Sequence, residues 1–349
     1  MIKKNLSIII VVAILLALAG AIFGINYLNR TSYVATVAGQ KITVAEYNFF
    51  LASVKQEMEL EAEEASREGM WNNPALVEDA KKKALNMAKE FEIQVMKAKE
   101  RNYSLDSDDL KQVEDASSYF INEYMSNLQN SGVESSKIRS EAEKQFKENY
   151  RVSIKQYKKI LSDFMLVYKI ADEEQAKLTA TEEEIKAHYD ENSENFINTT
   201  LRHILFFTVD EQTGQPFADE KIKEIEKKAN ETLEKIKSGE DMVELVKELS
   251  EDPGTKESGG ELPPIGKNGY LPELWDWSIK SKVNDIGVVK APYGYHVVRL
   301  EKVTTYEDAK ENVKKVVIAD KYEELVKEWA KDSKYDVEQN GNVIDKIKI

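Results

Sequence analysis

An uninterrupted apolar run near the N-terminus constrains the topology of the chain more than any other feature. It covers the 18 residues from Ile8 to Ile25, which is close to the length that a helix needs to cross a membrane. Lys3 and Lys4 precede it, and basic flanks of a span stay in the cytoplasm. The sequence therefore predicts a cytoplasmic stub and single-pass signal anchor at residues 1–31, with the remaining chain outside the cytoplasm.

A cleaved signal peptide is the alternative. Ala17-Leu18-Ala19 has the small-residue pattern of a cleavage site, although the apolar run continues beyond it through Ile22 and Phe23. An uncleaved transmembrane anchor is the favoured hypothesis. Under both hypotheses the chain from residue 31 onward is extracytoplasmic, either held at the membrane or secreted.

The charge of the exported part excludes some classes of function. The chain has a net charge of -14, and residues 1–30 hold three basic and no acidic residues, so the remainder carries 46 basic against 63 acidic residues, or -17. Nucleic-acid binding depends on basic patches, so no such partner is expected. Because the chain has no cysteine, it forms no disulfide framework and no zinc finger. No metal or other cofactor is expected.

From residue 32 to about residue 180, the sequence predicts an all-helical region after a short extended segment, YVATVAGQKITV. One helix has apolar residues that step by seven, four, three, four and three along a single face. These residues are Val77, Ala84, Ala88, Phe91, Val95 and Ala98. Further amphipathic stretches run over residues 108–128 and 137–170.

The pattern changes at Thr181, where Glu184 follows three residues later and predicts a capping box at the start of a helix. The segment LRHILFF (201–207) is rich in large apolar residues, and its residue types alternate from one position to the next, as is typical of a strand. Helical spacing follows up to Gly239 and again over residues 242–249, and VVKAPYGYHVVRLEKV (288–303) predicts a hairpin. Strands mixed with helices indicate an α+β domain with an antiparallel sheet. A long charged helix is expected from Thr304 to about Lys331.

Two of the three histidines of the chain lie inside predicted strands. By alternation, His203 shares a face with Leu201 and Leu205, and His296 shares a face with Val298. A single histidine in a strand is usually a satisfied core residue. Two of them, in matching strand contexts around a Ser-x-Asp and a Gly-Gly loop, favour a functional site.

These segments together resemble a parvulin-type peptidyl-prolyl isomerase domain. RHILF, LSEDP…SGGEL and GYHVVRL occur in the order of that family, over residues 197–303. VATVAGQKITVAEYNFFL and TEEEIKAHYDENSENF are similar to parts of the SurA and PrsA foldases. The resemblance implies a four-stranded antiparallel sheet with helices, inserted between a helical chaperone-like region and a C-terminal segment that packs on that region.

The resemblance also implies a domain organisation and a set of site residues. The domains are the anchor (1–31), a helical domain that binds unfolded polypeptide (32–180), a lead-in helix with the parvulin domain (181–303) and a C-terminal helix and tail (304–349). The catalytic positions of the family fall on His203, His296 and Asp252. Its apolar pocket for the substrate proline falls on Leu262, Ile265, Tyr270 and Leu274. Asp252 could instead only begin a turn with Pro253-Gly254.

Two functions remain open. One is an extracytoplasmic foldase that isomerises X–Pro bonds of unfolded or newly exported polypeptides and also holds them. The alternative is a non-catalytic holdase whose parvulin module only binds extended peptides. The histidine pair favours the first; Ala291, where the family often has Thr, and Pro263-Pro264 favour the second. The acidic segment TVDEQTGQP argues against phosphate selectivity, and a homodimer is an oligomeric state that the sequence leaves open.

We expect the run from Ile8 to Ile25 to remain in the mature protein, because its apolar residues continue past the small-residue site. N-terminal sequencing of the protein extracted from membranes measures this directly. A mature terminus at Gly20 or later would contradict the anchor.

Overall fold

The computed structural model describes residues 32–349, apart from residues 63, 151, 212 and 270. The chain divides into two compact units, one formed by the residues up to Leu178 together with Asp320–Ile349, and the other by Thr179–Ala319. The predicted anchor at Ile8–Ile25 lies outside the described residues. Among the helices of the described part, none combines the length and apolar character that a membrane span requires.

The helices and strands are named here in chain order. The first unit opens with β1 (Tyr33–Val37), β2 (Gln40–Thr43), α1 (Val44–Glu61), α2 (Glu64–Arg67), α3 (Pro74–Glu100), α4 (Ser107–Asn130), α5 (Ile138–Tyr150) and α6 (Ile154–Gln175). The second unit contains α7 (Glu182–Asn192), β3 (Asn198–Phe207), α8 (Asp219–Lys237), α9 (Met242–Leu249), β4 (Ile265–Gly266), α10 (Pro272–Ser278), β5 (Ile286–Ala291) and β6 (Gly294–Val303). Helix α11 (Tyr306–Ala330) contributes to both units, and β7 (Val337–Gln339) and α12 (Gly341–Ile344) end the first.

Local sequence signals begin and end several of these helices. The predicted capping box of Thr181 and Glu184 starts α7 and is confirmed. Thr43 and Glu46 form an equivalent box at the start of α1. Gly239 follows α8 with φ of 101°, a left-handed conformation that glycine adopts without strain. The predicted end of that helix is therefore confirmed as well.

The predicted apolar face of α3 forms the centre of the first unit. Ala84, Ala88 and Phe91 are buried there, together with residues of α1. The Phe91 ring packs between Phe50 of α1 and Phe164 of α6, with centroid separations of 5.3 Å and 4.6 Å. Aromatic pairs at these distances stabilise a core beyond the area that they bury.

The prediction of an all-helical N-terminal region is wrong in one respect. β1 pairs in antiparallel fashion with β2 and also with β7, giving a three-stranded sheet in the order β2-β1-β7. Ala35 stands opposite Gln339, and Tyr335 and Ile344 are buried in the same core as β1. These strands are too short to show a clear alternation of apolar and polar residues. The pairing of β1 with β7 also joins residues about 300 positions apart in the sequence, so no local pattern predicts it.

The amphipathic stretch over residues 137–170 is two helices rather than one. α5 ends at Tyr150 and α6 begins at Ile154. Ser153 between them is extended, and its side chain accepts a hydrogen bond from the backbone of Gln156 in a capping box. Ser at an N-cap stabilises a new helix start more than it stabilises a helix interior, which explains the break.

The second unit is built on the expected four-stranded antiparallel sheet, in the order β4-β3-β6-β5. One face packs on α8 and α9, and the other packs on α10 and the loop before it. Helix α7 packs on the first half of α11 through Ile185, Ala309, Val313 and Val317. The mixed architecture that the sequence indicated is thus present.

Three carboxylates from three helices meet in the first unit. Glu46 of α1, Glu92 of α3 and Asp163 of α6 are 2–7% exposed. Lys159 Nζ lies 3.2 Å from Glu46 and 2.5 Å from Asp163. Burial, and then repulsion by Glu46 and Asp163, raise the pKa of Glu92 to about 7. Glu92 is therefore largely protonated at slightly acid pH.

We expect Glu92→Gln to stabilise the first unit at pH 7.5 by about 1–3 kcal/mol. The carboxyl group ionises in the unfolded chain above about pH 4.5, but in the folded chain only near pH 7. Stability therefore falls as pH rises between these values, and a neutral amide removes this loss. Urea unfolding at pH 5 and pH 7.5 measures it, with exposed Glu100→Gln on the same helix as the control. Equal effects of the two substitutions would refute the burial argument.

Candidate active site

The central pair of strands carries both strand histidines. The register of β3 and β6 places His203 opposite Val298 and Leu205 opposite His296. Residues two apart along a strand face the same side, so the imidazoles are diagonal neighbours on one face. Their Nδ1 atoms are 2.9 Å apart, and the two residues are only 2% and 4% exposed.

The apolar neighbours of the histidines follow the alternation that the sequence predicted. Leu201 and Val298 belong to the cluster on one face of the sheet, whereas Ile204 and Val297 belong to the cluster on the other. The predicted faces of β3 and β6 are therefore confirmed.

A loop after α9 brings a carboxylate and a hydroxyl group to His203. Asp252 Oδ2 is 2.9 Å from His203 Nε2, and Thr255 Oγ1 is 3.0 Å from the same nitrogen. The Thr255 hydroxyl also donates to Asp252 Oδ2. The structure thus places Asp252, His203 and His296 together, and adds Thr255, which the sequence analysis did not name. The signal for Thr255 in the sequence is its position three residues after Asp252 in a Pro-Gly turn.

Asp252 makes a turn contact with one carboxylate oxygen and contacts the histidine network with the other. Its Oδ1 accepts a hydrogen bond of 3.0 Å from the backbone of Gly254, as in a turn that begins with aspartate. Its Oδ2 faces His203 and Thr255. One oxygen therefore shapes the turn while the other is part of the histidine network.

Backbone hydrogen bonds hold this loop against the edge of β3. The N–H of His203 donates to Gly260 O at 2.7 Å, and the N–H of Leu262 donates to Leu201 O at 2.8 Å. Gly260 has φ of +80°, and a Cβ atom at this position would lie 2.4 Å from His203 O. Only glycine lets the loop approach the strand this closely.

Burial and hydrogen bonding determine the charges of the network. Burial lowers the pKa of His203, and Asp252 opposes only part of this shift. Burial, and then the neighbouring His203, lower the pKa of His296 to about 3, against the attraction of Asp252. Burial disfavours ionised Asp252, but hydrogen bonds from Thr255, Gly254 and His203 outweigh it and lower its pKa. At neutral pH the network is a carboxylate with two neutral imidazoles.

The proton positions follow from these charges. A carboxylate only accepts hydrogen bonds, so His203 donates its Nε2–H to Asp252. A neutral imidazole carries one N–H, which leaves Nδ1 of His203 to accept from Nδ1–H of His296. The Nε2 atom of His296 is then unprotonated. These tautomers are assigned from the balance of donors and acceptors.

Three of the four predicted pocket residues lie together. Leu262, Ile265 and Leu274 belong to the apolar cluster on the histidine face, and Tyr270 lies outside the described residues. Leu262 is 6% exposed, whereas Ile265 and Leu274 have no exposed surface. Neither of these two side chains can therefore touch a ligand in this arrangement of the domain.

Ala291, the position where the family often has Thr, lies in the same cluster and is 5% exposed. Its methyl group cannot hydrogen-bond to the histidine pair. Within the described residues, the hydroxyl group beside His203 comes from Thr255, on the loop after α9.

The chain is similar to several known proteins. Residues 170–304 match the family described as PPIC-type PPIASE domain. Foldase protein PrsA of Caldanaerobacter subterraneus subsp. tengcongensis is 29% identical over 309 residues, which cover 84% of each chain. Foldase protein PrsA 4 of Bacillus cereus is 36% identical over 149 residues, which cover 42% of this chain and 45% of that relative. A crystal structure of foldase protein PrsA from Streptococcus pneumoniae matches 87% of this chain and 97% of its own, at 20% identity and a TM-score of 0.36.

The fold and the site define a parvulin-type peptidyl-prolyl cis-trans isomerase domain. The family match is limited to this domain, whereas the chain as a whole is similar to the foldases named PrsA. The resemblance to foldases of the PrsA kind, and the expectation of a peptidyl-prolyl isomerase, are thereby confirmed.

We expect the second unit to lose stability as pH falls below about 6.5, where histidine titrates in an unfolded chain. Both imidazoles have a lowered pKa in the folded state, so the unfolded state binds protons first. Their contribution is complete above pH 6.5 and is lost towards the folded pKa, which for His296 is about 3. At pH 5 the loss from His296 alone is about 2 kcal/mol. The lowered pKa of Asp252 acts only below about pH 4.

Urea unfolding at pH 7.5, 6 and 5 measures this loss. Fluorescence of Trp275 and Trp277 reports on the second unit once Trp71 and Trp329 are replaced by Phe. His296→Gln should reduce the pH dependence, whereas the control His188→Gln, at a histidine outside the network, should not. Equal stability at pH 5 and pH 7.5 would show that the imidazoles are not buried in the neutral form.

Proposed function

We propose that the chain is an extracytoplasmic foldase, which isomerises X–Pro bonds in secreted or cell-surface proteins and also holds unfolded clients. The observation that carries the proposal is the buried row of Asp252, His203 and His296 beside an apolar cluster, within a PPIC-type domain. The placement outside the cytoplasm rests on the apolar run Ile8–Ile25 and its preceding lysines.

No covalent bond breaks in this reaction. Resonance gives the peptide bond a rotation barrier of about 18–20 kcal/mol, and an X–Pro bond isomerises unaided in tens to hundreds of seconds. A thousandfold acceleration requires that the barrier fall by about 4 kcal/mol. Only interactions that are stronger in the twisted state than in the planar state contribute to this.

The site offers two such interactions. The apolar cluster around Leu262 would hold the proline ring away from water, and water stabilises the charge-separated planar amide more than the twisted one. The second is a fixed polar surface formed by His203 and His296, whose tautomers do not reorganise during rotation. Asp252 would set the electrostatic potential of this surface. The neutral state of both imidazoles suits a reaction that transfers no proton.

Substrate binding would involve a movement of the loop between β4 and α10. Ile265 and Leu274 are fully buried in this arrangement, and Gly269 lies in the connecting segment, which follows Gly266 at the end of β4. Displacement of the loop would expose the cluster to a proline ring and would cover the ring on closure. The same burial favours the alternative, a holdase without catalysis, if the loop stays closed.

Client holding would be the task of the first unit. Its exposed large apolar side chains include Leu60, Leu110 and Tyr119, which are 54–65% exposed. Side chains of this kind can bind the apolar residues that an unfolded polypeptide exposes. The two activities would then belong to different units of the chain.

Removal of the second unit tests this division. Ala180 and Val317 lie in one apolar cluster, and each is two or three residues from an end to be rejoined, Leu178 or Asp320. We expect a chain joined there through a short Gly/Ser linker to melt cooperatively and to suppress aggregation of an unfolded client. We expect the full chain in mild detergent to do this and also to accelerate isomerisation of an Xaa-Pro tetrapeptide.

The outcomes separate the two functions. A full chain that protects the client but gives only the uncatalysed rate of isomerisation would support the holdase. A shortened chain that melts cooperatively but no longer protects the client would show that the first unit is not an independent chaperone. Retained isomerisation after removal of the second unit would contradict the assigned site.

A further inference from the structure

Thr255 touches both members of the pair that fixes the proton on His203. Its Oγ1 lies 3.0 Å from His203 Nε2, and its hydroxyl donates to Asp252 Oδ2. Asp252 Oδ2 is itself 2.9 Å from His203 Nε2. A carboxylate, a hydroxyl group and an imidazole nitrogen therefore form a closed triangle, in which the positions of the protons are not independent.

The hydroxyl group has a single proton, and this proton is committed to Asp252. The lone pairs of Oγ1 then face His203 Nε2, as do those of Asp252 Oδ2. Two acceptors directed at one ring nitrogen are satisfied only if that nitrogen carries a proton. The other tautomer of His203 would place a third acceptor among them, and a buried contact of that kind is costly.

The tautomer of His203 in turn determines which nitrogen of His296 is protonated. With the proton on Nε2 of His203, its Nδ1 accepts from Nδ1–H of His296 across 2.9 Å, which leaves Nε2 of His296 without a proton. The opposite tautomer of His203 would reverse this hydrogen bond and would protonate Nε2 of His296. The polarity of the surface on the histidine face therefore depends on the Asp252 carboxylate staying at Nε2 of His203, and the Thr255 hydroxyl donates to that carboxylate.

The backbone holds Thr255 in place. Lys256 N donates to Asp252 O at 3.1 Å, and Gly260 N donates to Thr255 O at 2.8 Å. Because Thr is branched at Cβ, its χ1 rotamers are restricted. The hydroxyl group is thus directed at the triangle before any substrate binds.

We propose that Thr255 is a positioning residue of the isomerase: its hydroxyl group holds the Asp252 carboxylate against Nε2 of His203, and the carboxylate then excludes the second tautomer of His203. Its effect on the rate rests on the proposed isomerase function, whereas its effect on the tautomer does not. The chemistry that it supplies is a hydroxyl donor to the carboxylate and a hydroxyl acceptor for the imidazole, so serine should replace it and valine should not.

The rate experiment uses the full chain in mild detergent with an Xaa-Pro tetrapeptide. Thr255→Val should lower kcat/KM at least tenfold, and Thr255→Ser should stay within about threefold of the unchanged chain. In an Asp252→Asn background, Thr255→Val should change the remaining rate less than twofold, because the two residues act as one unit. The control is Thr232→Val, at a buried threonine whose hydroxyl group donates to Lys228 O in α8.

The tautomer is measured separately, by nitrogen NMR of the chain labelled in its three histidines. His203 should carry its proton on Nε2 in the unchanged chain and in Thr255→Ser. It should show both tautomers in Thr255→Val, because the Asp252 carboxylate is then no longer held at Nε2. This result stands even if the chain isomerises no peptide, in which case only the proposed function fails. A single, unchanged tautomer in Thr255→Val overturns the proposal, as does a loss of rate that serine does not restore.

Discussion

The second unit depends on the need to satisfy two imidazoles that are buried in the middle of an apolar sheet. A buried polar group costs several kcal/mol unless it finds a hydrogen-bond partner. His203 and His296 supply partners for one another only in one register of β3 and β6, since a slip by one residue would turn one ring to the opposite face. The register that pairs the central strands is therefore the same register that gives each buried imidazole its hydrogen-bond partner.

The same requirement fixes the loop after α9. His203 needs an acceptor at Nε2, and the loop delivers Asp252 only because Gly260 allows close backbone contact with β3. Arg202, the neighbour of His203 on the other face, donates to Gly259 O and lies 2.9 Å from Glu301. Successive residues of one strand thus hold the loop from two sides. Such double attachment suits a site whose polar surface must not reorganise.

Sequence patterns were sufficient where structure depends on near neighbours. The capping box at Thr181, the end of α8 at Gly239 and the alternation along β3 all follow from spacings of a few residues. The four-stranded sheet followed from these segments once their order resembled that of a parvulin domain. The position of Asp252 beside His203 came from the resemblance alone, because nothing in the local sequence indicates which strand the loop will meet.

The features that the sequence did not predict depend on contacts between distant segments. β7 is a strand of three residues whose partner begins near residue 33, and so short a segment carries no periodicity of its own. Thr255 looks like any turn residue until Asp252 and His203 surround it. The full burial of Ile265 and Leu274 likewise depends on packing among distant segments of the second unit, which amino-acid type does not determine.

Two buried polar clusters give the two units opposite responses to pH. In the first unit, the raised pKa of Glu92 means that the folded state holds a proton that the unfolded state releases, so stability declines as pH rises from about 4.5 to about 7. In the second unit, the lowered pKa of His296 means that the unfolded state binds the proton first, so stability declines as pH falls below about 6.5. Between about pH 4.5 and about pH 6.5, acidification therefore stabilises the first unit and destabilises the second. The order in which the two units unfold can therefore change with pH.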